Sequence, residues 1–264
     1  MSDATLRGRF VWYDLTTPDP EAAKAFYGEI VGWGITTWEG PTEYSMWTNG
    51  DQPIGGVMEL SAEQAADGVP PNWVAYIGTP DVDATVDRAK ELGGTLVHGP
   101  EDIPETGRYA VLKDPQGAPF AVYTPAQQAD GPDGPPAAGE FSWHELMTSD
   151  YEGAIAFYGE LFGWTKTEAM DMGPAGIYQM YGRSENPEMP LGGMMNLTPE
   201  MPMPPMWLYY ARVPDVHAAA EKAKELGGQV VNGPMEVPGG DWVVQITDPQ
   251  GAMFALHHSS KGDA

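Results

Sequence analysis

The residues that could do chemistry in this chain are carboxylates and histidines rather than thiols. The sequence holds 38 Asp and Glu and five His, but no Cys. Disulfides, thiolate metal sites and a cysteine nucleophile are therefore excluded. Imidazole and carboxylate groups can bind divalent metals or exchange protons with a substrate. Either chemistry requires the fold to bring several of these groups together.

The charge balance restricts the partners. Thirteen Lys and Arg face 38 acids, which leaves a formal net charge of −25. Such a surface repels phosphate backbones and anionic lipid, so nucleic acid and membrane surfaces are not expected partners. No apolar run approaches the ~20 residues of a membrane span, and the N-terminus lacks a signal peptide's apolar stretch. We expect a cytoplasmic protein, monomeric or homodimeric, whose partner is a small organic molecule.

An internal repeat organises the chain. Residues 10–33 return as residues 141–164, with 14 of 24 positions identical. Each copy reads as an alternating strand, a turn, an amphipathic helix carrying Phe-Tyr-Gly-Glu, and then Gly-Trp. A repeat of this length indicates two copies of one domain, which agrees with ~150 residues per domain in a chain of 264.

Each copy predicts two successive βαβββ modules. In the first half, Asp19 and Gly32 are the start and stop signals of one helix, and Asp81 and Gly93 those of the next. Alternating or β-branched segments, separated by Gly and Pro, predict strands near residues 10–15, 34–39, 44–49, 54–60, 73–78, 95–98, 109–113 and 119–123.

The second half repeats the scheme after a segment rich in Pro, Gly and Ala. That composition, without periodicity, is typical of a linker. We therefore predict an N-terminal domain at 1–125, a linker at 126–140 and a C-terminal domain at 141–264. Modules could pair within a half or across halves, and the sequence leaves both arrangements open.

The ordered motifs resemble the vicinal oxygen chelate superfamily, which includes glyoxalase I, bleomycin-resistance proteins and extradiol dioxygenases. The shared features are the Phe-Tyr helix ending in Gly-Trp, the Asp-Val helix ending in Glu-Leu-Gly-Gly, and Asp-Pro-Gln-Gly before the last strand. The resemblance covers nearly the whole chain. It implies an α+β fold of two tandem domains, each made of paired βαβββ modules that enclose a cleft.

In metal-dependent members of that family, His and Glu side chains of the cleft hold a divalent ion. The equivalent positions of this chain carry almost no such side chains, and Glu59 is the one ligand type among them. The positions are Trp12, Glu59, Val74 and Ala121 in the first half, and Trp143, Asn196, Leu208 and Ala255 in the second. The resemblance therefore predicts that the standard metal tetrad is absent.

Positions two residues further along the same strands share their face. They are Asp14, Tyr76 and Tyr123 in the first half, and Glu145, Tyr210 and His257 in the second. Glu145 with His257 is the best polar pair and is our candidate catalytic pair, with a hydrogen bond that merely closes the interior as the structural alternative. Glu59, Glu145 and His257 are the candidates for metal ligands. His144 lies on the opposite strand face, where a packed or partly exposed position is expected.

Aromatic side chains dominate both predicted clefts. Aromatic walls with a few polar groups suit a flat organic ligand, although an ordinary aromatic core is the structural alternative. Trp47 and Tyr181 are also assigned to these walls. The predicted ligand-binding residues are Trp12, Asp14, Tyr44, Glu59, Tyr76, Tyr123, Trp143, Tyr178, Asn196 and Tyr210.

Two functions follow from the resemblance. The first is a binding protein that holds a small aromatic or oxygenated molecule, with no metal cofactor expected. The second is a divalent-metal-dependent, glyoxalase-like lyase or isomerase with a rebuilt site in the C-terminal half, or, as a weaker alternative, a dioxygenase.

Overall fold

A computed structural model describes residues 6–40, 43–127, 134–186, 188–201 and 203–260. Within these ranges, no helix is long and apolar enough to cross a membrane. The described elements follow the predicted order of strands and helices in both halves.

Among its described residues, the first half contains eight strands and three helices. They are β1 (Phe10–Thr17), α1 (Pro20–Val31), β2 (Gly34–Glu39), β3 (Glu43–Asn49), β4 (Gln52–Glu59), α2 (Ala62–Ala66), β5 (Asn72–Gly78), α3 (Val82–Glu91), β6 (Thr95–Ile103), β7 (Gly107–Lys113) and β8 (Pro119–Pro125). The short helix α2 is not predicted from the sequence, because it buries no side chain and so shows no apolar stripe. Strand β6 extends five residues beyond the predicted end at His98.

The part of the second half that the structure describes contains eight strands, two helices and one 3-10 turn at Gly173–Ala175. The elements are β9 (Phe141–Thr148), α4 (Tyr151–Phe162), β10 (Trp164–Asp171), β11 (Ile177–Arg183), β12 (Pro190–Asn196), β13 (Met206–Arg212), α5 (Val216–Glu225), β14 (Gln229–Glu236), β15 (Trp242–Thr247) and β16 (Met253–His258).

Each half forms one mixed eight-stranded sheet. The strand orders are β2-β3-β4-β1-β5-β8-β7-β6 and β10-β11-β12-β9-β13-β16-β15-β14. Both sheets therefore join two βαβββ modules through their first strands, which confirms the predicted α+β fold of tandem domains.

Helix α1 shows why these segments become helical. The Asp19 side chain accepts a hydrogen bond from Ala22 N, and Pro20 occupies the first turn, where its missing N–H costs nothing. Phe26, Tyr27 and Ile30 are buried on one face. Gly32 ends the helix at φ 89°, in the left-handed region that glycine adopts without strain.

The chain divides into two compact units, and each takes modules from both halves. One unit spans 1–11, 74–133 and 143–207, and the other spans 12–73, 134–142 and 208–264. Helix α3 packs on α4 in the first unit, and α1 packs on α5 in the second. Both predicted pairings of modules therefore occur. The strands of the two modules in one half form one sheet, whereas the helices pack on helices of the other half. The domain limits at 125 and 140 remain a prediction.

A buried Tyr–Asp hydrogen bond holds the first unit together. The Tyr158 hydroxyl on α4 donates to Asp114 Oδ2 at 3.1 Å and accepts from Trp207 Nε1 at 3.0 Å. Asp114 Oδ1 accepts from the backbone N–H groups of Gln116, Gly117 and Ala118 in its own turn. Burial raises the pKa of the Asp114 carboxyl, and these hydrogen bonds oppose that rise.

The second unit repeats this arrangement with the other copies of the same motifs. Tyr27 on α1 donates to Asp248 Oδ2 at 3.1 Å and accepts from Trp73 Nε1 at 2.9 Å. The Phe-Tyr-Gly-Glu and Asp-Pro-Gln-Gly motifs, which carry the internal repeat, are thus structural. Each tyrosine is bonded to the aspartate of the other half.

His144 is buried in the aromatic core of the first unit. Its ring stacks on Phe10 with centroids 3.7 Å apart, and Nδ1 lies 2.9 Å from the Leu191 carbonyl oxygen. Burial lowers its pKa from 6.5 to about 4. In the second unit, Tyr13 occupies the position that corresponds to His144, and its ring stacks on Phe141 with centroids 3.5 Å apart.

We expect Tyr158→Phe to lower the free energy of unfolding by about 1–3 kcal/mol, because it leaves a buried carboxylate oxygen and an indole N–H without their partner. The measurement is urea unfolding at neutral pH. Tyr151→Phe is the matched control on the same helix, since Tyr151 is half-exposed and its ring lies near Lys166. That variant should change stability by less than about 0.5 kcal/mol. Equal effects of the two variants would contradict the structural role of the Tyr158 hydroxyl.

We expect acid to destabilise the fold through His144. Its folded pKa lies below the unfolded value, so the unfolded state binds the proton first as the pH falls. The stability is present above pH 6.5 and is lost towards pH 4, by up to about 3 kcal/mol.

Urea unfolding between pH 7.5 and 4.5 measures this loss. His144→Phe should flatten the pH dependence relative to the parent protein. His98→Gln, which replaces an exposed histidine beside Glu101, is the control for the loss of an imidazole. If the slope of His144→Phe equals that of the parent, then His144 does not titrate in this way.

Candidate small-molecule binding site

Three predicted site residues of the second unit form one hydrogen-bonded group, which we call the first cluster. Trp12 and Asp14 lie two residues apart on β1, and Tyr44 comes from β3. Trp12 Nε1 lies 2.9 Å from both Asp14 Oδ1 and the Tyr44 hydroxyl, which donates to the same carboxylate oxygen. Asp14 is only 5% exposed, whereas both rings are half-buried. Burial, followed by the charge of Asp14, raises the pKa of Tyr44, so its phenol keeps the proton.

The first unit contains the corresponding second cluster. Trp143 and Glu145 lie on β9, and Tyr178 comes from β11. Trp143 Nε1 donates to the Tyr178 hydroxyl at 2.7 Å, and that hydroxyl donates to Glu145 Oε2 at 2.9 Å. Glu145 is 7% exposed, and the two rings are again half-buried. Both clusters therefore combine a buried carboxylate with two ring systems that retain accessible surface.

Glycines create the space for both tyrosines. Gly56 pairs with Asp14, and Gly193 pairs with Glu145, in the parallel ladders of β4 with β1 and of β12 with β9. A Cβ at Gly56 would overlap the Tyr44 hydroxyl, and one at Gly193 would overlap the Tyr178 ring. Each tyrosine thus crosses a glycine to reach the carboxylate. The Gly-Gly pairs at 55–56 and 192–193 are the sequence signal for this arrangement, and the sequence analysis does not use it.

The remaining predicted binding residues lie elsewhere. Glu59 is exposed at the end of β4. Asn196 is also exposed, and its Oδ1 accepts from Tyr151 N at 2.8 Å, which ties it to the start of α4. Their roles in ligand binding remain predictions.

The predicted tyrosines of the later strands have partners that the sequence analysis does not identify. The ring of Tyr76 lies 6.1 Å from that of Tyr109. Tyr123 donates to the Thr106 carbonyl oxygen at 2.7 Å, and burial raises its pKa. Tyr210 accepts from Gln245 Nε2 at 2.9 Å. Whether these tyrosines contact a ligand remains a prediction.

Two aromatic assignments are wrong. Trp47 and Tyr181 belong to the cores rather than to ligand-facing walls. Trp47 packs against Trp33 and donates to the Gly56 carbonyl oxygen at 2.8 Å. Tyr181 is fully buried, and its ring centroid lies 4.7 Å from that of Trp164. The reason is strand parity, since residues three positions apart on a strand face opposite sides.

The structure gives His257 different neighbours from the predicted pair. Its Nδ1 lies 2.9 Å from Ser142 Oγ, and its Nε2 lies 3.2 Å from Asp241 Oδ2. Both ring nitrogens are therefore engaged by residues of the second unit, and Asp241 supplies the carboxylate. Catalytic roles for Glu145 and His257 remain predictions.

The donors of the described ranges do not fit a metal centre. No three His, Asp or Glu side chains within those ranges are close enough together to hold one ion. Asp14 and Glu145 instead accept hydrogen bonds from phenols beside an indole. Neither carboxylate belongs to the convergent donor set that a divalent ion needs.

Comparison with known proteins agrees with this architecture. The profile of the Glyoxalase/Bleomycin resistance protein/Dioxygenase superfamily matches residues 9–122 and again 140–256. The chain is 33% identical to the "Putative glyoxylase CFP32" of Mycobacterium tuberculosis, over 93% of this chain and 92% of that protein. It is 29% identical to the anthracycline biosynthesis protein DauV of Streptomyces sp., over 94% and 92% of the two chains.

Solved structures share the fold at low identity. The Mn(II)-bound glyoxalase of Novosphingobium aromaticivorans has a TM-score of 0.62 at 15% identity, covering 96% of this chain and 82% of its own. The 2,3-dioxygenase LapB of Pseudomonas sp. KL28 has a TM-score of 0.66 at 13% identity, covering 96% and 93%. With one profile match in each half, the chain belongs to the glyoxalase/bleomycin resistance protein/dioxygenase superfamily.

Proposed function

We propose that the chain binds a flat, oxygenated small molecule against the first and second clusters, and that this binding needs no metal. The observation that carries the proposal is a buried carboxylate that accepts from a half-exposed phenol, whose hydroxyl in turn accepts from an indole N–H, and this group occurs in both halves. The Trp and Tyr rings offer stacking surface. The carboxylate, supported by its phenol, offers a strong acceptor for a ligand hydroxyl.

The charges favour a neutral or cationic ligand. A buried carboxylate in each cluster and a net charge of −25 both disfavour anions. A hydroxylated aromatic compound combines the ring face and the O–H donors that the clusters can use. The names of DauV and of its Streptomyces peucetius counterpart DnrV, which is 28% identical, place those proteins in anthracycline biosynthesis. That relationship supports a polycyclic, oxygen-rich ligand.

The second candidate is a divalent-metal-dependent lyase or isomerase of the glyoxalase kind. The identity to a protein named as a glyoxylase favours it. It would need ligands recruited from Glu59, Glu145 and His257. Within the described ranges, however, no three His, Asp or Glu side chains lie close enough together to hold a metal ion. We rank it below ligand binding for this reason. A cytoplasmic location is part of the proposal, and a monomer and a homodimer are equally compatible with it.

We expect the protein to bind 1,4-dihydroxyanthraquinone in calorimetric titrations, with and without EDTA. Trp143→Leu should weaken binding at the second cluster about tenfold, because it removes one stacking face worth about 1.4 kcal/mol. Trp12→Leu tests the first cluster in the same way. Trp242→Leu is the matched control, since Trp242 packs beside His217 and belongs to neither cluster.

The same titrations distinguish the two candidates. Binding that survives EDTA and falls in the cluster variants supports the proposal. Binding or lyase activity that appears only after Mn²⁺ or Zn²⁺ is added would favour the metal-dependent enzyme. Weakening by Trp242→Leu alone would place the ligand outside both clusters.

We expect Gly193→Ala to weaken binding of the same probe at least tenfold, because its methyl group displaces the Tyr178 ring from Glu145. Gly182→Ala on the neighbouring strand β11 is the control, since its added Cβ makes only ordinary contacts at 3.4–3.5 Å. Titration calorimetry of both variants, with circular dichroism to verify folding, measures the effect. Unchanged affinity in a folded Gly193→Ala protein would remove Tyr178 from the site.

A further inference from the structure

A serine, a histidine and an aspartate form a continuous hydrogen-bonded chain in the second unit. Ser142 Oγ lies 2.9 Å from His257 Nδ1, and His257 Nε2 lies 3.2 Å from Asp241 Oδ2. Asp241 Oδ1 accepts from Ser260 N at 2.9 Å, which fixes the carboxylate. Ser142 lies on β9, His257 lies on β16, and Asp241 immediately precedes β15, so only the fold brings them together.

The electrostatics give each member a definite protonation state at neutral pH. Burial lowers the pKa of His257 and outweighs the opposing effect of Asp241, so the imidazole is neutral. The nearby Arg212 and His258 lower this pKa further. Burial raises the pKa of Asp241, but hydrogen bonds from Ser260 and His257 outweigh it, so the carboxylate stays ionised.

These states decide which nitrogen carries the proton. An ionised Asp241 accepts from Nε2–H, which leaves the lone pair of Nδ1 facing the Ser142 hydroxyl. The Ser142 proton has a second acceptor, the Tyr210 carbonyl oxygen at 3.2 Å, but the imidazole nitrogen is nearer. A hydroxyl held by a base, which is itself oriented by a carboxylate, is the arrangement that activates a serine nucleophile.

The internal repeat shows that the fold itself does not require these residues. In the first half, the equivalent positions hold Val11, Gly107 and Tyr123. Tyr109 pairs with Tyr123 there, as Val243 pairs with His257 in the second half. Because the first-half sheet forms the same strand order without a serine, histidine or aspartate at these places, the chain from Ser142 to Asp241 is an addition to the fold.

We propose that Ser142 is an activated nucleophile that accepts the acyl group of an ester or thioester, with His257 as its base and Asp241 as the residue that positions His257. The Ser142 Oγ–C bond forms as the hydroxyl proton passes to Nδ1. The bond to the alcohol or thiol leaving group then breaks, and that group takes the proton from His257. Water, deprotonated by His257, hydrolyses the acyl-serine and restores the hydroxyl. His257 is partly open to solvent, with 19% of its side chain exposed.

The test uses a fluorophosphonate probe on the full-length protein. Ser142 Oγ displaces fluoride from phosphorus, and mass spectrometry of peptides locates the adduct. We expect Ser142 to be labelled at least 100-fold faster than any other serine of the chain. His257→Gln should slow labelling about 100-fold or more, Asp241→Asn should slow it less, and Ser142→Ala should abolish it.

A pH profile separates activation from mere accessibility. Labelling of Ser142 should rise with pH as the imidazole loses its proton, and this dependence should disappear in His257→Gln. Urea unfolding of each variant verifies that it is folded. Ser260→Ala removes the hydrogen bond from Ser260 Oγ to Asp241 Oδ1 at 3.2 Å but keeps the backbone N–H donor, so it should slow labelling less than Asp241→Asn does. Labelling of Ser142 no faster than that of Ser45 on β3, or an unchanged rate in folded His257→Gln, would overturn the proposal. The result is independent of ligand binding at either cluster, since none of the three residues belongs to them.

Discussion

The buried tyrosine–aspartate hydrogen bond is the interaction on which the architecture depends. Tyr158 on α4 reaches Asp114, and Tyr27 on α1 reaches Asp248. Each bond joins the first module of one half to the second module of the other. A carboxylate this deeply buried must be hydrogen-bonded. In both aspartates, backbone N–H groups of the turn donate to one carboxylate oxygen and the tyrosine hydroxyl donates to the other. The compact units of the protein therefore cross the boundary of the repeat, although each sheet stays within one half.

A second constraint shapes the candidate binding site. Tyr44 and Tyr178 reach their carboxylates only because Gly56 and Gly193 lack side chains. Burial and the charge of Asp14 raise the pKa of Tyr44, so this phenol keeps its proton, and an indole N–H donates to the tyrosine hydroxyl in each cluster. In both halves, ring surface and a tyrosine hydroxyl thus surround the carboxylate that this strand face carries. The proposed recognition of an oxygenated ring rests on this arrangement.

The two halves agree in their cores and differ at their sites. The aspartate of the first cluster is a glutamate in the second, and Trp12 donates towards two acceptors where Trp143 donates to one. The later strands differ more, since Tyr123 of the first half corresponds to His257 of the second. Differences of this kind affect polar side chains that the core does not need, so they can change without loss of the fold. The Ser142–His257–Asp241 chain is such a difference.

The sequence by itself determined the order of elements, the repeat and the family, because these depend on local periodicity, caps and turn residues. It also selected Trp12, Asp14 and Tyr44, and Trp143, Glu145 and Tyr178, since strand parity places the first two members of each set on one face. Only the tertiary structure decided the partners. Trp47 and Tyr181 lie in the cores, and His257 meets Ser142 and Asp241, residues 115 and 16 positions away. The physical reason is that local sequence specifies the face of a strand, whereas the neighbour on that face is set by sheet order and by packing between distant modules.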